Sequence, residues 1–408
     1  MRRYLHRLFV AAVVAQGCQP ERWELPASFG GSTTQSHNYT RTAAEPPRMV
    51  FLQSVGHPDT SGCLQPPLPL SSRLTVLATA NGSLIALSAA APQWTFSFPK
   101  GTAVASALAA DTSTLYAMGS DGALYALSFN GTLRWRIHLF RGIPEGGGPY
   151  THLLPFQDGI AVGDASGRLL RIGSSGAMLW EQQRGGSIER SPAADGGEHL
   201  VVGIVSFSPD AGDTILFIDP TGQQRWARAL HQTRLTCSPT FGQGYLFVAG
   251  VRNPLADPIP VLHTFSETGQ LLWSRVLPAT PRWLSVDDSN GVYVIMHSTG
   301  IGEPISGILA YDARGEQRWT LYIRAAIMTP ALIFRNSAVV FAIQPNGALG
   351  AYILAAENGK LQELLSLEGA PPLLLQPAVT PDGSILLGWS HRLGLLRLGE
   401  HPWQWLLF

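Results

Sequence analysis

Asp121-Gly122-Ala123-Leu124-Tyr125-Ala126-Leu127, followed two residues later by Asn130-Gly131-Thr132-Leu133-Arg134-Trp135, is the stretch on which the fold turns. It reads as a tight reversal, a strand with apolar residues, a second reversal and another strand, because Asp-Gly and Asn-Gly favour hairpin turns. The phrase recurs as Ile308-Leu309-Ala310-Tyr311-Asp312 leading to Arg314-Gly315-Glu316-Gln317-Arg318-Trp319. Gly176 precedes Trp180, Gly222 precedes Trp226, Gly269 precedes Trp273 and Gly399 precedes Trp403, each by four positions. Two copies are degenerate: Trp94 follows Ala90 instead of a glycine, and Gly359 is followed at the same offset by Glu363.

The markers at 94, 135, 180, 226, 273, 319, 363 and 403 are spaced by 41, 45, 46, 47, 46, 44 and 40 residues. A period in this range marks a repeat architecture. Each interval holds four short segments, for example 104–109, 114–118, 123–127 and 133–138. That is one four-stranded antiparallel blade, which cannot bury both of its faces alone but does so when neighbours stack radially. The expected fold is therefore all-β, an eight-bladed β-propeller of four-stranded antiparallel blades over residues 49–408. The repeated tryptophans are expected to fill the gaps between blades and not to stack on a ligand. Either Arg48 to Leu52 or Trp403 to Phe408 can supply an outer strand to the closing blade, and the sequence leaves that choice open.

Arg2, Arg3, His6 and Arg7 precede the apolar run Leu8 to Ala15 and then Gln16-Gly17-Cys18, so residues 1–17 read as an export signal. The run is too short to span a bilayer. Val14-Ala15-Gln16-Gly17-Cys18 resembles a bacterial lipobox, making Cys18 the expected lipidation site, against ordinary signal cleavage or an incidental cysteine. Gln19 follows the cysteine instead of an Asp, and under the sorting rule for bacterial lipoproteins that points to the outer membrane, at its periplasmic face or the cell surface. Residues 18–48 are polar, with no sustained apolar period, and read as a tether. Cys63 and Cys237 fall in the first and fifth blades, too far apart for a disulfide.

Lys plus Arg and Asp plus Glu both number 28, so no global field favours nucleic acid. The expected partners are other envelope proteins and, through the anchor, the membrane; the chain is expected to be a monomer.

The phrase 121–135, together with Ser191-Pro192-Ala193-Ala194 and Ser238-Pro239-Thr240, resembles the repeat of the quinoprotein (PQQ) propeller superfamily over about residues 62–408. That superfamily holds both PQQ-dependent alcohol dehydrogenases and cofactor-free binding proteins, and fold does not choose between them. Within it, an exported chain of this size with eight such repeats is similar to the outer-membrane assembly lipoproteins, whose propellers are protein-protein adaptors without an active site.

A PQQ dehydrogenase needs a hard cation held by oxygen ligands and an Asp as general base. Here the acidic residues are sparse, and Asp121, Asp164, Asp219 and Asp312 occupy turn positions. The vicinal cysteine pair of those dehydrogenases is missing, no His or Cys spacing suits a metal, and no Gly-x-Ser-x-Gly elbow occurs. The expectation is a non-catalytic scaffold with no catalytic residue, cofactor or metal, the alternative being a periplasmic PQQ-dependent alcohol dehydrogenase. A third reading, a carbohydrate-binding propeller, rests on Tyr150 and Trp283.

Six of the seven junctions between an outer strand and the next inner strand carry a base: Lys100, Arg141, Arg184 with Arg190, Arg234, Arg282 and Arg324. The exception lies around Glu368 to Pro372. Converging at one channel mouth, these side chains would hold acidic groups, whereas pointing outward they are ordinary solvated charges. Together with Tyr150, in the long glycine-rich junction Leu139 to Tyr150, they are the candidate partner-binding residues. Val251 to Pro260 is a second long excursion, expected at the rim or the opposite face.

Overall fold

The computed structural model describes residues 49–56, 65–139, 151–208, 211–297, 305–367 and 377–398, apart from positions 72, 80, 89, 90, 381, 382, 384, 390 and 391. The expected signal peptide, tether and lipidation site Cys18 lie outside the described residues. So do Cys63, Ala90, Arg141, Tyr150, Glu368 to Pro372 and Trp403 to Phe408.

The described residues form eight antiparallel sheets and no helix. Blade 2 shows the plan: Ala109–Ala110 innermost, then Thr114–Met118, Ala123–Ser128 and Leu133–His138 outermost, each pairing with the next. The last three match the expected segments. The inner strand does not: in place of a strand over 104–109 there is an isolated Val104–Gly119 bridge and then only two paired residues. Between them the Ser106 hydroxyl accepts the Met118 N–H at 3.1 Å, taking the place of a ladder carbonyl. Blades 5 and 7 have inner strands split in two, at Cys237-Ser238-Pro239 and Met328-Thr329-Pro330. Proline has no N–H to offer a ladder, and in blade 7 the Thr329 hydroxyl accepts the Phe341 N–H at 3.1 Å.

The eighth sheet runs Ala378–Val379, Ile385–Trp389, Arg392–Leu398 and then Met49–Gly56, so the N-terminal segment is its outer strand. Leu52 pairs with Leu396 and Ser54 with Gly394. Both ends of the described chain thus share one sheet, and its inner strand touches Leu68–Pro69 of blade 1.

The core lies between blades and not within them. Middle strands such as Thr114–Met118 and Ala123–Ser128 are buried along all or nearly all of their length, whereas outer strands such as Leu133–His138 and Leu271–Val276 are exposed or half-buried. Because strand side chains point alternately to opposite faces, Leu115, Ala117, Ala123, Tyr125 and Leu127 join the cluster with blade 1. Tyr116, Met118, Leu124 and Ala126 join the cluster with blade 3. Each pair of successive blades from 1 to 8 shares such a cluster.

The Gly-x-x-x-Trp phrase is the joint between blades. Trp94 donates its indole N–H to the Phe129 carbonyl at 2.9 Å, Trp135 to Ser174 at 2.7 Å and Trp180 to Pro220 at 3.1 Å. Trp226 reaches Glu267 at 2.8 Å, Trp273 reaches Ala313 at 2.9 Å and Trp319 reaches Ala356 at 3.0 Å. Every acceptor sits in the hairpin turn of the following blade, beside the glycine of its own phrase. That glycine has positive φ, 78° at Gly315, and an added Cβ there would stand 2.6 Å from the Trp273 ring. Glycine is required twice, by the backbone conformation and by the ring against it. Gly359 retains its place although blade 7 has Glu363 where a Trp would be, because it receives Trp319 of blade 6.

Gly315→Ala is expected to destabilise the fold by about 3 kcal/mol, combining positive-φ strain with overpacking against Trp273. Gly101, at φ 85° with nothing within 4 Å of where a Cβ would stand, carries only the first penalty. Gly101→Ala is therefore expected to cost about 1 kcal/mol in the same denaturant titration.

Candidate functional site

Inner strands of neighbouring blades touch one another, as between Ala109–Ala110 and Thr151–Pro155 or between Thr240–Phe241 and Thr280–Val286. The junctions from one outer strand to the next inner strand therefore open at one end of the strands, and the hairpins that receive the tryptophans lie at the other.

At the junction end the predicted bases fall into three groups. Arg184 and Arg234 are tied to the fold. Arg184 donates to the side chains of Gln224, at 3.2 Å, and Gln182. Arg234 donates to the Ser206 carbonyl and pairs at 3.1 Å with Asp213, a fully buried carboxylate that also accepts the Leu235 N–H at 2.7 Å. Lys100 and Arg324 are exposed. Arg190 and Arg282 form the third group, whose charges bear on Cys237. Arg141 and Tyr150 lie outside the described residues. The bases are thus not one uniform ring among the described positions.

Cys237 lies at the break in the split inner strand of blade 5 and is 2% exposed. Burial pushes its thiol up to about 12; the Thr236 hydroxyl and the positive charges of Arg190 and Arg282 oppose this. Arg190 precedes the inner strand of blade 4 and Arg282 lies on that of blade 6, the blades before and after the one that holds Cys237. Arg282 also stands 5.8 Å from the centre of the Trp283 ring, and Trp283 meets His297 edge-on at 6.2 Å. His297 contacts the Ile327 carbonyl through Nε2 at 2.6 Å, and burial, with Arg282 adding to it, holds its titration below the ordinary histidine range.

Sequence reasoning does not reveal the burial of Cys237 at a break in an inner strand. It also misplaces the 251–260 excursion. Tyr245–Arg252 and Ile259–Ser266 form one long hairpin, and Asn253 donates its N–H to the Gln232 carbonyl at 2.8 Å, so the tip lies at the junction end. Leu255 at that tip is 73% exposed.

The acidic turn residues are occupied by local bonds. Asp219 accepts the N–H groups of Thr221 and Gln223, both at 2.9 Å, and Asp312 those of Arg314 and Glu316 at 2.9 and 2.8 Å. Asp164 accepts from Ser166 and Arg168, and Asp121 from Ala123, Tyr125 and Arg136. The backbone bonds among these are Asx-type turn contacts, and Asp121 is held in addition by the Tyr125 hydroxyl and the Arg136 guanidinium. At the hairpin end a cleft of about 700 Å³ opens between blades 6 and 7, lined by Asp287, Tyr293, Arg318, Arg335 and Glu357 among others. Its central charges are mutually satisfied: Arg318 pairs with Asp287 at 3.1 Å, and Tyr293 donates to the same carboxylate at 3.1 Å. Among the described residues no three of His, Cys, Asp and Glu are grouped to hold a metal.

The geometry defines a propeller of PQQ-like repeats with blades joined through Trp and Gly. A family model described as outer membrane protein assembly factor BamB matches residues 130–282 and 211–373, together more than half of the 408 residues, and the chain belongs to that family. Among solved structures, BamB from Moraxella catarrhalis is 19% identical, with a TM-score of 0.61 over 87% of this chain and 98% of that one. A europium-containing methanol dehydrogenase is 12% identical, with a TM-score of 0.62 over 88% of each chain. The computationally designed Ika8 protein is 14% identical, with a TM-score of 0.65 over 85% of this chain and all of that one. At these identities the structures share the fold. No curated protein matches the sequence.

In a chain carrying Cys18→Ser and Cys63→Ser, Cys237 is expected to resist alkylation at pH 8 in the native state and to react on unfolding, read by mass spectrometry. Because its folded-state value lies above the thiol's ordinary 9.0, this group's contribution to stability is present below pH 9 and is lost as pH rises toward 12.

Proposed function

We propose that this protein is a non-catalytic scaffold of the bacterial cell envelope, offering the junction end of its propeller to other envelope proteins. The observation that carries this reading is the asymmetry between acids and bases. The turn carboxylates are occupied by backbone N–H groups and, at Asp121 and Asp219, also by Arg136 and Arg225, whereas Lys100 and Arg324 stand exposed and Arg190 and Arg282 have no acidic partner among the described residues. Loops carried on rigid strands are where binding residues are commonly found. Membership of the BamB family, named for outer membrane protein assembly, supports the same compartment and role.

On this reading residues 1–17 direct export, Cys18 is lipidated, and 18–48 tether a monomeric propeller of residues 49–408 to the outer membrane. Palmitate incorporation that depends on Cys18 tests the anchor. The junction residues Lys100, Arg184, Arg190, Arg234, Arg282 and Arg324, with Arg141 and Tyr150, form the partner-facing set.

A photocrosslinking amino acid placed at Lys100 or Arg324 in the full-length chain is expected to give covalent adducts with envelope proteins. The same group at Arg335 or Asn358, both exposed at the hairpin end, is expected to give few. Equal adducts from both ends, or none from the junction end, would count against the scaffold reading.

A further inference from the structure

At the hairpin end, side chains in the turns that follow the inner strands stitch neighbouring blades together. Between blades 2 and 3 the buried Asp111 carboxylate accepts the Tyr116 hydroxyl and, at 3.2 Å, the Gly159 N–H, while Thr112 donates to the Gln157 carbonyl at 3.3 Å. Between blades 3 and 4 Glu198 accepts the Gln157 N–H at 3.2 Å. Between blades 5 and 6 Asn290 accepts the Gln243 N–H at 2.6 Å and donates to its carbonyl at 3.1 Å.

Blades 6 and 7 enclose a cleft there instead. The turn before the outer strand closes from residue i to i+4 in blades 2 to 6, as from Asp312 to Glu316, but in blade 7 it runs from Ala355 to Lys360, one residue longer. Three donors of blade 6 meet at the Ala356 carbonyl in that turn: Trp319 at 3.0 Å, Arg318 at 3.1 Å and Tyr293 at 3.3 Å. Asp287 accepts the Tyr293 hydroxyl and the Arg318 guanidinium, both at 3.1 Å. This repeats the Asp–Tyr pair that blade 2 seals at Asp111, but here the pair stands in the wall of the cleft of about 700 Å³. That volume lies within the range of small-molecule sites.

The lining decides what can enter. Asp287, Asp288 and Glu357 accept hydrogen bonds and Arg318 and Arg335 donate them, so an anion meets three carboxylates and a cation meets two guanidinium groups. Neither sign of charge is favoured. Ile333 and Phe334 are 0% and 1% exposed, so they offer a ligand no apolar contact and no ring face for stacking. The lining does offer donors beside acceptors, with the side-chain amides of Asn336 and Gln362 supplying both. A hydroxyl matches such a wall because it donates and accepts at once.

We propose that the cleft between blades 6 and 7 binds a neutral saccharide, held by hydrogen bonds to Arg335, Asn336, Glu357 and Gln362. All four residues are exposed. Their bonds to sugar hydroxyls replace bonds to water, so the affinity is expected in the millimolar range. The inference is independent of the scaffold reading, which places protein partners at the opposite end of the strands.

The test titrates the full chain with maltose, cellobiose, lactose and chitobiose, followed by calorimetry and saturation-transfer NMR. At least one is expected to saturate. Asn336→Ala and Glu357→Ala are each expected to weaken that binding about fivefold, and Lys100→Ala at the junction end to leave it unchanged. Because the replaced side chains are exposed, the melting temperature is expected to stay the same; should either variant melt early, Arg335→Gln supplies the same reading. Saturation by none of the four sugars would overturn the site. Sugar binding that is unchanged in both cleft variants would lie elsewhere on the molecule and overturn it too. A hexose phosphate or glucosamine that binds more tightly than the neutral sugars would overturn the assignment to a neutral ligand. None of these results bears on capture of envelope proteins at Lys100 or Arg324, so failure here leaves the scaffold reading standing.

Discussion

Everything in this structure depends on an indole of one blade lying on a glycine turn of the next. Six tryptophans make that contact among the described residues, each donating its N–H to a turn carbonyl while its ring covers the glycine. The contact satisfies an indole donor, removes aromatic surface from water and fixes the angle between blades in a single step. It also explains why the glycine and the tryptophan of one phrase serve different joints: the glycine answers the preceding blade and the tryptophan the following one.

This division of labour sets where the fold is tightest. Between blades 1 and 7 every joint has its Trp and Gly, and the interblade clusters are continuous. At blade 8 the pattern changes: Glu363 occupies the Trp register of blade 7, and the outer strand comes from Met49–Gly56. There the N-terminal strand pairs with Arg392–Leu398 in a backbone ladder, from Met49 opposite Leu398 to Gly56 opposite Arg392.

Much of this is legible in the sequence, and the departures have physical reasons. The Gly-to-Trp offset yields the blade count and the joint, because local turn chemistry and a large aromatic must recur together. The inner strand over 104–109 reads as continuous in sequence, yet Ser106 hydroxyl bonding there, and Ser-Pro or Thr-Pro pairs in other blades, break the ladder near the axis, where alternation alone reads as strand. The source of the eighth blade's outer strand is not legible, since 48–52 and 403–408 are both apolar and alternation says nothing about which end pairs. Nor is the burial of Cys237, which follows from its place at the break in the inner strand of blade 5 between two neighbouring blades. The junction arginines can be counted in the sequence, but whether Arg234 is free or held by Asp213 depends on a buried carboxylate with no sequence signature of its own.

The proposed scaffold role assigns this quinoprotein-like fold to recognition and not to redox chemistry. The most direct test is titration of the purified chain with pyrroloquinoline quinone and Ca²⁺, followed by heat and absorbance, and then an assay of alcohol-dependent dye reduction. No saturable binding and no turnover are expected. Stoichiometric binding with alcohol-dependent reduction would contradict the scaffold role and make this propeller an oxidoreductase.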